Sequence, residues 1–322
     1  MRAIRIGSTG GPDVLEVAEV EEPTPGPDEV VVAVEAAGVN FIDTYQRSGL
    51  YPLELPTGLG MEGAGTITAV GSQVSDRRIG EVVAWSDALG SYAEQVAVRA
   101  ERTVPVPEGV EPATAAAVML QGMTAHYLAH STYQLDQDDT ALVYAAAGGV
   151  GRILVQLAKR RGARVLACTS TQQKAEAVTA LGADEVVFYR DVDVPETVAA
   201  LTDGQGVDVV YDSVGADTFD DSLRCLRRRG LMVVYGNSSG PVPPFDVQEL
   251  NRHGSLYLTR PNLASYVATP DELSWRAGAL FDLIKAGQLQ VAVHGRYPLD
   301  QAAQAHIDIT SGTTSGKLLL VP

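Results

Sequence analysis

Cysteine is nearly missing: only Cys168 and Cys225 occur among 322 residues. Two thiols cannot build a disulfide framework or a multi-cysteine zinc site, so a reducing compartment is expected. Positive charge is scarce too, with 24 Lys and Arg against 40 Asp and Glu and a formal charge of −16. So acidic a surface repels phosphate backbones and anionic lipid, which disfavours general nucleic-acid or membrane-surface partners. Long apolar runs are absent; the most apolar stretch, Ala113 to Leu120, stops at Gln121, far short of a bilayer span. The first residues, Met1 to Ile6, alternate like a strand and hold no apolar signal core. A cytoplasmic location is therefore expected. What is present is a globular composition, 45% hydrophobic and 20% charged, in a chain too long for one ordinary core. Two domains are expected.

Roughly the first 115 residues read as strands and turns with sparse helix signals. Val30 to Val34 and Gly65 to Val70 are β-rich runs, and Pro23 to Pro27 is a rigid turn. From about Pro112 to residue 260 the pattern changes. Short apolar runs at Ala141–Ala145, Arg164–Cys168, Glu185–Tyr189, Val207–Tyr211 and Gly230–Tyr235 alternate with helical spacing. Such alternation predicts βαβ units and a parallel sheet with both faces covered. The last sixty or so residues return to mixed structure, with a helix over Leu273–Gly287 and a closing strand at Lys317–Val321. One domain is thus expected from both chain ends, with the α/β domain inserted between them.

The most informative segment is Ala146-Ala147-Gly148-Gly149-Val150-Gly151, between a predicted strand and a predicted helix. It is a variant of G-x-G-x-x-G with Ala146 at the first glycine. Gly148 lets backbone approach a pyrophosphate, and Gly151 permits close helix–strand packing. The helix start offers unpaired N–H groups and a positive dipole to the anion. Dinucleotides with a bare ribose are usually held by an acid about 20 residues on. Here Cys168-Thr169-Ser170-Thr171 and then Lys174 stand at that place. No carboxylate repels a 2′-phosphate there, while hydroxyls and a cation can bind one, so NADPH is the expected cofactor. Lys174 as a solvated helix residue is the blander alternative.

Further segments carry a resemblance across essentially the whole chain. They are Gly38 to Tyr45, Arg47 to Pro52, Ala145 to Gly151, Val210 to Gly215, Gly236 to Gly240 and Gly254 to Pro261. With these the sequence resembles the zinc-independent quinone oxidoreductase (ζ-crystallin-like) branch of the medium-chain dehydrogenase/reductase superfamily. The resemblance implies an α/β fold: a Rossmann doubly wound parallel sheet inserted in a split, β-rich GroES-like domain, with the cofactor in the cleft between them. The expected domains are 1–117 with 262–322, and 118–261. Where the superfamily's zinc enzymes carry a His ligand this chain has Met61, and no cysteine precedes Cys168. Nitrogen or thiolate ligands for zinc are therefore missing at both family sites.

The resemblance also implies site residues. Lys174 and Tyr189 correspond to 2′-phosphate contacts, joined by Thr169 and Ser170, and Ala147 to Gly151 hold the pyrophosphate. Asn40, Thr124, Ser213, Asn237 and Arg260 correspond to residues around the nicotinamide. Tyr45 and Tyr51 line the place where the acceptor stacks, and a tyrosine hydroxyl or Arg260 is the candidate donor to its oxygen. Aromatic packing for the tyrosines, and backbone capping for Asn40 and Asp43, are the alternatives. The expected reaction is NADPH-dependent reduction of a quinone, with reduction of an α,β-unsaturated carbonyl (an enone) as the second possibility. A third is a non-catalytic role, since some relatives serve as lens crystallins or bind AU-rich RNA; the net charge speaks against RNA. A homodimer through the edge strand Ser255–Leu258 is expected. His126 and His130 share i, i+4 spacing but read as a helical face. Arg224, Arg227, Arg228 and Arg229 read as cations at a helix end. The two thiols are expected to be buried, although Cys168 lies near the phosphate site and has the better chance of exposure.

Overall fold

The computed structural model describes every residue from Met1 to Pro322. The chain forms two compact units, Met1–Met123 with Val267–Pro322, and Thr124–Tyr266. These divisions fall a few residues beyond the expected 117/118 and 261/262.

In chain order the first unit begins with β1 (Arg2–Ile6), β2 (Glu16–Glu19), β3 (Glu29–Val39), α1 (Phe41–Ser48), β4 (Thr57–Gly58) and β5 (Glu62–Val70). β6 (Val82–Trp85), β7 (Gln95–Arg99), β8 (Val104–Pro105) and α2 (Pro112–Tyr127) follow, the last running through the division at Met123. The second unit contains β9 (Thr140–Val143), α3 (Gly149–Arg160), β10 (Arg164–Thr169), α4 (Gln172–Thr179), β11 (Glu185–Phe188) and α5 (Val194–Leu201). It continues with β12 (Val207–Asp212), α6 (Phe219–Cys225), β13 (Leu226–Val234), α7 (Gln248–Arg252) and β14 (Tyr257–Thr259). The chain then returns to the first unit with α8 (Pro270–Lys285), β15 (Val293–Pro298), α9 (Ala302–Thr310) and β16 (Lys317–Val321).

The sheet order β15-β16-β3-β5-β6-β8, with β7 also on β3, joins the two chain ends in one domain. β16 pairs antiparallel with β3, placing Leu319 against Gly38, and Leu318 and Leu320 enter the same core as Ile4, Val32 and Trp85. Each such fully buried aliphatic side chain contributes about 1.5–3 kcal/mol. The short C-terminal strand is thus integral to the N-terminal fold.

The second unit holds a six-stranded parallel sheet in the order β11-β10-β9-β12-β13-β14. Numbered within the unit, this is 3-2-1-4-5-6, the doubly wound order that reverses direction between its first and fourth strands. Leu142, Leu166, Val210 and Met232 are fully buried, as expected of strands covered on both faces. In α3, Ile153, Leu154 and Leu157 face inward, and the helix ends with Lys159 and Arg160 before Gly162 in the left-handed region (φ 86°).

α-Helix is sparse before Pro112, as expected: α1 alone forms there, begun by Asn40 and ended at Gly49 in the left-handed region (φ 83°). One expectation changes. The arginines after Arg224 do not end a helix: α6 stops at Cys225, and Arg227 to Arg229 lie on β13. Leu226 pairs with Val207, and the Arg227 guanidinium binds Asp208 on the neighbouring strand, which holds this stretch extended. Both thiols are buried as expected, Cys168 included, and burial pushes both up.

Candidate active site

The segment between β9 and α3 turns tightly at the point where the sheet order reverses. Gly148 N–H donates to Ala145 O (2.8 Å), and Ala146 N–H donates to Cys168 O (3.1 Å) on β10. Ala145 occupies the left-handed region (φ 48°), a strained conformation for a residue with a Cβ. Gly148 caps α3 without a side chain, so the first-turn N–H groups remain open to a ligand. A Cβ on Gly151 would come within 2.7 Å of Ala146 Cα, so only glycine lets α3 start this close to the strand.

At the end of β10, Thr169 is 2% exposed and its Oγ1 is a buried oxygen with no partner. Ser170 and Lys174 are half-buried, and Thr171 caps α4 by accepting the Lys174 N–H (3.3 Å). Burial lowers the proton affinity of the Lys174 ammonium, and the Arg190 charge lowers it further. Arg190 lies 5.6 Å from the Tyr189 ring centroid. Arg190 was not among the expected site residues; its position directly after Tyr189 at the end of a predicted strand was the available signal. Together these features fit NADPH: a glycine cradle for the pyrophosphate, an orphaned hydroxyl and two cations for the phosphorylated ribose, and no acid on β10.

At the end of β12, Asp212 is completely buried. It accepts from Val214 N–H (2.7 Å), Gly215 N–H (3.1 Å), Thr218 Oγ1 (2.7 Å) and Ser222 Oγ (3.0 Å). These bonds order the turn that carries Ser213. With its carboxamide oxygen facing Arg260, Asn237 accepts from Arg260 Nη2 (3.2 Å) and donates to Gly236 O (2.9 Å). The structure therefore brings these two expected residues together. Thr124, also in this unit, is 8% exposed on α2.

In the first unit, Tyr45 on α1 packs edge-on against Tyr51, with centroids 5.3 Å apart, and Tyr51 N–H donates to Tyr45 O (3.0 Å). Both are half-buried. Asn40, immediately before α1, is 2% exposed and fully engaged inside its unit. Its Oδ1 accepts from Lys317 Nζ (2.7 Å) and Gln121 Nε2 (3.4 Å), and its Nδ2 donates to Glu62 Oε1 (3.1 Å) and Gly38 O (3.3 Å). Glu62 also receives Lys317 Nζ and the Leu120 N–H (2.5 Å). A Cβ on Gly38 would lie 2.6 Å from the Glu62 carboxylate carbon, so a glycine is needed opposite this acid. Burial lowers the Lys317 proton affinity and the Glu62 charge opposes that shift. Asp43 Oδ2 accepts the Asn40 N–H (2.8 Å) and the Tyr92 O–H (2.7 Å). Burial raises the Asp43 carboxyl to about 7 against these bonds. The role of Asn40 and Asp43 as a backbone cap is thus realised, while the Asn40 carboxamide is occupied by its own unit. Glu62, Lys317 and Tyr92 carried no role in the sequence reading, since no local pattern marks a buried polar pair.

Met61 stands beside this network, with Gln46 Nε2 donating to its Sδ (3.6 Å). No group of three or more His, Cys, Asp or Glu side chains is placed to hold a metal ion. His126 and His130 stack at 4.2 Å, and His130 Nδ1 lies 3.0 Å from His126 O. No helix is long and apolar enough to cross a membrane.

The family model of the alcohol dehydrogenase GroES-like domain matches residues 26–108, and that of the zinc-binding dehydrogenases matches 149–267. A quinone oxidoreductase of Pseudomonas aeruginosa is 44% identical over 100% of this chain and 99% of its own length. A 2-haloacrylate reductase of a Burkholderia species is 41% identical over 98% of both. The crystal structure of Escherichia coli quinone oxidoreductase complexed with NADPH superposes with a TM-score of 0.98 at 43% identity, covering 100% of each chain. These similarities run through both units, and the loop, the acid-free end of β10 and Met61 agree with them: the chain belongs to the quinone oxidoreductase branch of the medium-chain dehydrogenase/reductase superfamily.

Proposed function

We propose that this protein is an NADPH-dependent reductase that delivers reducing equivalents to a quinone without zinc. The observation that carries the cofactor half is the end of β10, where Thr169 Oγ1 is buried without a partner and Lys174 shares its surroundings with Arg190. In this reading the loop Ala147 to Gly151 holds the pyrophosphate through the first-turn N–H groups of Gly149, Val150 and Gly151, and Thr169, Ser170, Lys174 and Tyr189 hold the 2′-phosphorylated ribose. Thr124, Ser213 and the Asn237–Arg260 pair orient the nicotinamide. Bound NADPH supplies a hydride; the protein places the ring and stabilises charge developing on the acceptor.

The aromatic pair Tyr45 and Tyr51 offers a stacking surface for a planar acceptor, and a tyrosine hydroxyl or the Arg260 guanidinium donates to its oxygen. Asn40 acts here by holding the start of α1, because its carboxamide is already engaged. A steady-state survey of NADPH oxidation across quinones, acyclic enones, 2-haloacrylate and aldehydes tests the proposal. Quinones are expected to turn over fastest.

The relative that reduces a 2-haloacrylate favours one second reading, reduction of an α,β-unsaturated carbonyl compound. Turnover of enones with none of quinones would select it, and tight NADPH binding without turnover of any acceptor would select a non-catalytic role. We also propose a cytoplasmic homodimer joined through β14, an edge strand on which Tyr257 is 62% exposed. Light scattering that returns a monomer mass would reject the dimer.

A further inference from the structure

A second buried polar chain in the first unit both begins and ends on α1. Arg47 Nη1 lies 3.2 Å from His306 Nδ1, His306 Nε2 lies 3.3 Å from Tyr92 Oη, and Tyr92 donates to Asp43 Oδ2. The direction of every bond follows from its ends. A guanidinium only donates, so His306 Nδ1 accepts and the ring proton sits on Nε2. That N–H donates to the Tyr92 oxygen, which leaves the Tyr92 O–H for the Asp43 carboxylate. Asp43, Arg47, Tyr92 and His306 are all buried, and the Tyr92 and His306 rings meet edge-on with centroids 5.8 Å apart.

Asp43 and Arg47 are i, i+4 neighbours on one face of α1. Tyr92 lies in the segment after β6 and His306 on α9, near the other end of the chain. The bridge between them clamps that face of α1 at two points, while Tyr45 projects from another face. Apolar side chains could fill the same space without desolvating charge, but they would leave the rotation of α1 less well defined. Asp43 Oδ1 has no partner, so the carboxylate is fastened through one oxygen, half of it by Tyr92.

We infer that Tyr92 and His306 are positioning residues: with Arg47 and Asp43 they set the rotation of α1 and so aim Tyr45, against Tyr51, at the acceptor. The inference rests on the proposed reading of Tyr45 and Tyr51 as the acceptor surface.

The test compares Tyr92→Phe, which keeps the ring and removes only the O–H, with Tyr45→Ala. For each, the quinone KM and the NADPH Kd (by fluorescence titration) are measured. Tyr92→Phe is expected to raise the quinone KM about tenfold, the effect of leaving a buried acceptor one donor short, with the NADPH Kd within about twofold of wild type. Asp43→Asn, which still offers an oxygen to Tyr92, is expected to raise KM less than Tyr92→Phe does; an equal or larger rise would count against the inference. If Tyr92→Phe fails to fold, His306→Gln takes its place with the same expectation. An unchanged quinone KM in Tyr92→Phe beside a raised one in Tyr45→Ala overturns the inference and leaves the acceptor surface standing. An unchanged KM in Tyr45→Ala overturns both. Parallel losses of quinone and NADPH affinity in Tyr92→Phe also overturn it, since they report general structural damage.

Discussion

Glu62 and Lys317, 255 residues apart, form an ion pair with side chains 0% and 1% exposed. Glu62 opens β5, opposite Gly38 near the end of β3, and Lys317 opens the final strand. Between them they hold the Asn40 carboxamide at the head of α1. The two chain ends are therefore tied by charge at the same place where their apolar strands join.

Removing one partner leaves the other charged and dry. Lys317→Met is expected to cost about 3–5 kcal/mol in urea unfolding, the usual loss when a buried pair is broken from one side. Glu62→Gln added to it should restore at least half of that, because the uncompensated charge is gone while an acceptor remains for the Leu120 N–H. A double variant no more stable than Lys317→Met would show that packing, not charge, is what the pair supplies.

Gly151→Ala places a methyl against the Ala146 backbone, which cannot rotate away. Either α3 or the loop must shift, so NADPH binding is expected to weaken at least about tenfold, a loss of roughly 1.4 kcal/mol. Fluorescence titration reads the change. Gly204→Ala is not a fair control, since Gly204 has a positive φ (77°) of its own; Gly278→Ala, where a Cβ meets open space, is.

Lys174 and Arg190 act on one another electrostatically in the unliganded protein, and a bound dianion would relieve their repulsion. Lys174→Ala and Arg190→Ala are each expected to weaken NADPH binding about tenfold while changing NADH affinity by less than about twofold. Added salt should weaken NADPH binding to wild type more steeply than to either variant. Equal losses for both dinucleotides would place these cations away from the 2′-phosphate.

His306 governs part of the acid response. Burial, with Arg47 adding to it, holds the ring down at about 3, whereas an unfolded chain titrates near 6.5. Between those values the native state binds fewer protons than the unfolded one, so stability rises with pH there and is lost as pH falls through the window. Between about pH 7 and pH 4 the wild-type melting temperature should therefore fall further than that of His306→Gln. Parallel melting curves would show that His306 is not held neutral by the fold.

The parts of this molecule that were legible in the sequence are local or periodic. Ala146 to Gly151 reads as a phosphate loop because a strand, a glycine cluster and an amphipathic helix follow in order. Thr169 to Lys174 reads as a 2′-phosphate site because an acid is missing at a fixed distance. The β-rich ends around a βαβ middle predicted a split domain. The resemblance supplied Tyr45, Tyr51, Asn237 and Arg260 as candidates, and the structure adds contacts for each.

What stayed hidden depends on partners remote in sequence. Composition near Arg227 suggested a helix end, yet Asp208 across the sheet holds it in a strand. Nothing beside Glu62 announces Lys317, and nothing beside Asp43 announces Tyr92 or His306. By itself the sequence determined the alternation of strands and helices in the middle of the chain, which loop is shaped for a phosphate and which sign of charge is scarce, because those follow from spacing and composition. Only the tertiary structure decided which buried polar groups meet, because desolvation makes each of them costly until the folded chain brings its distant partner within hydrogen-bonding reach.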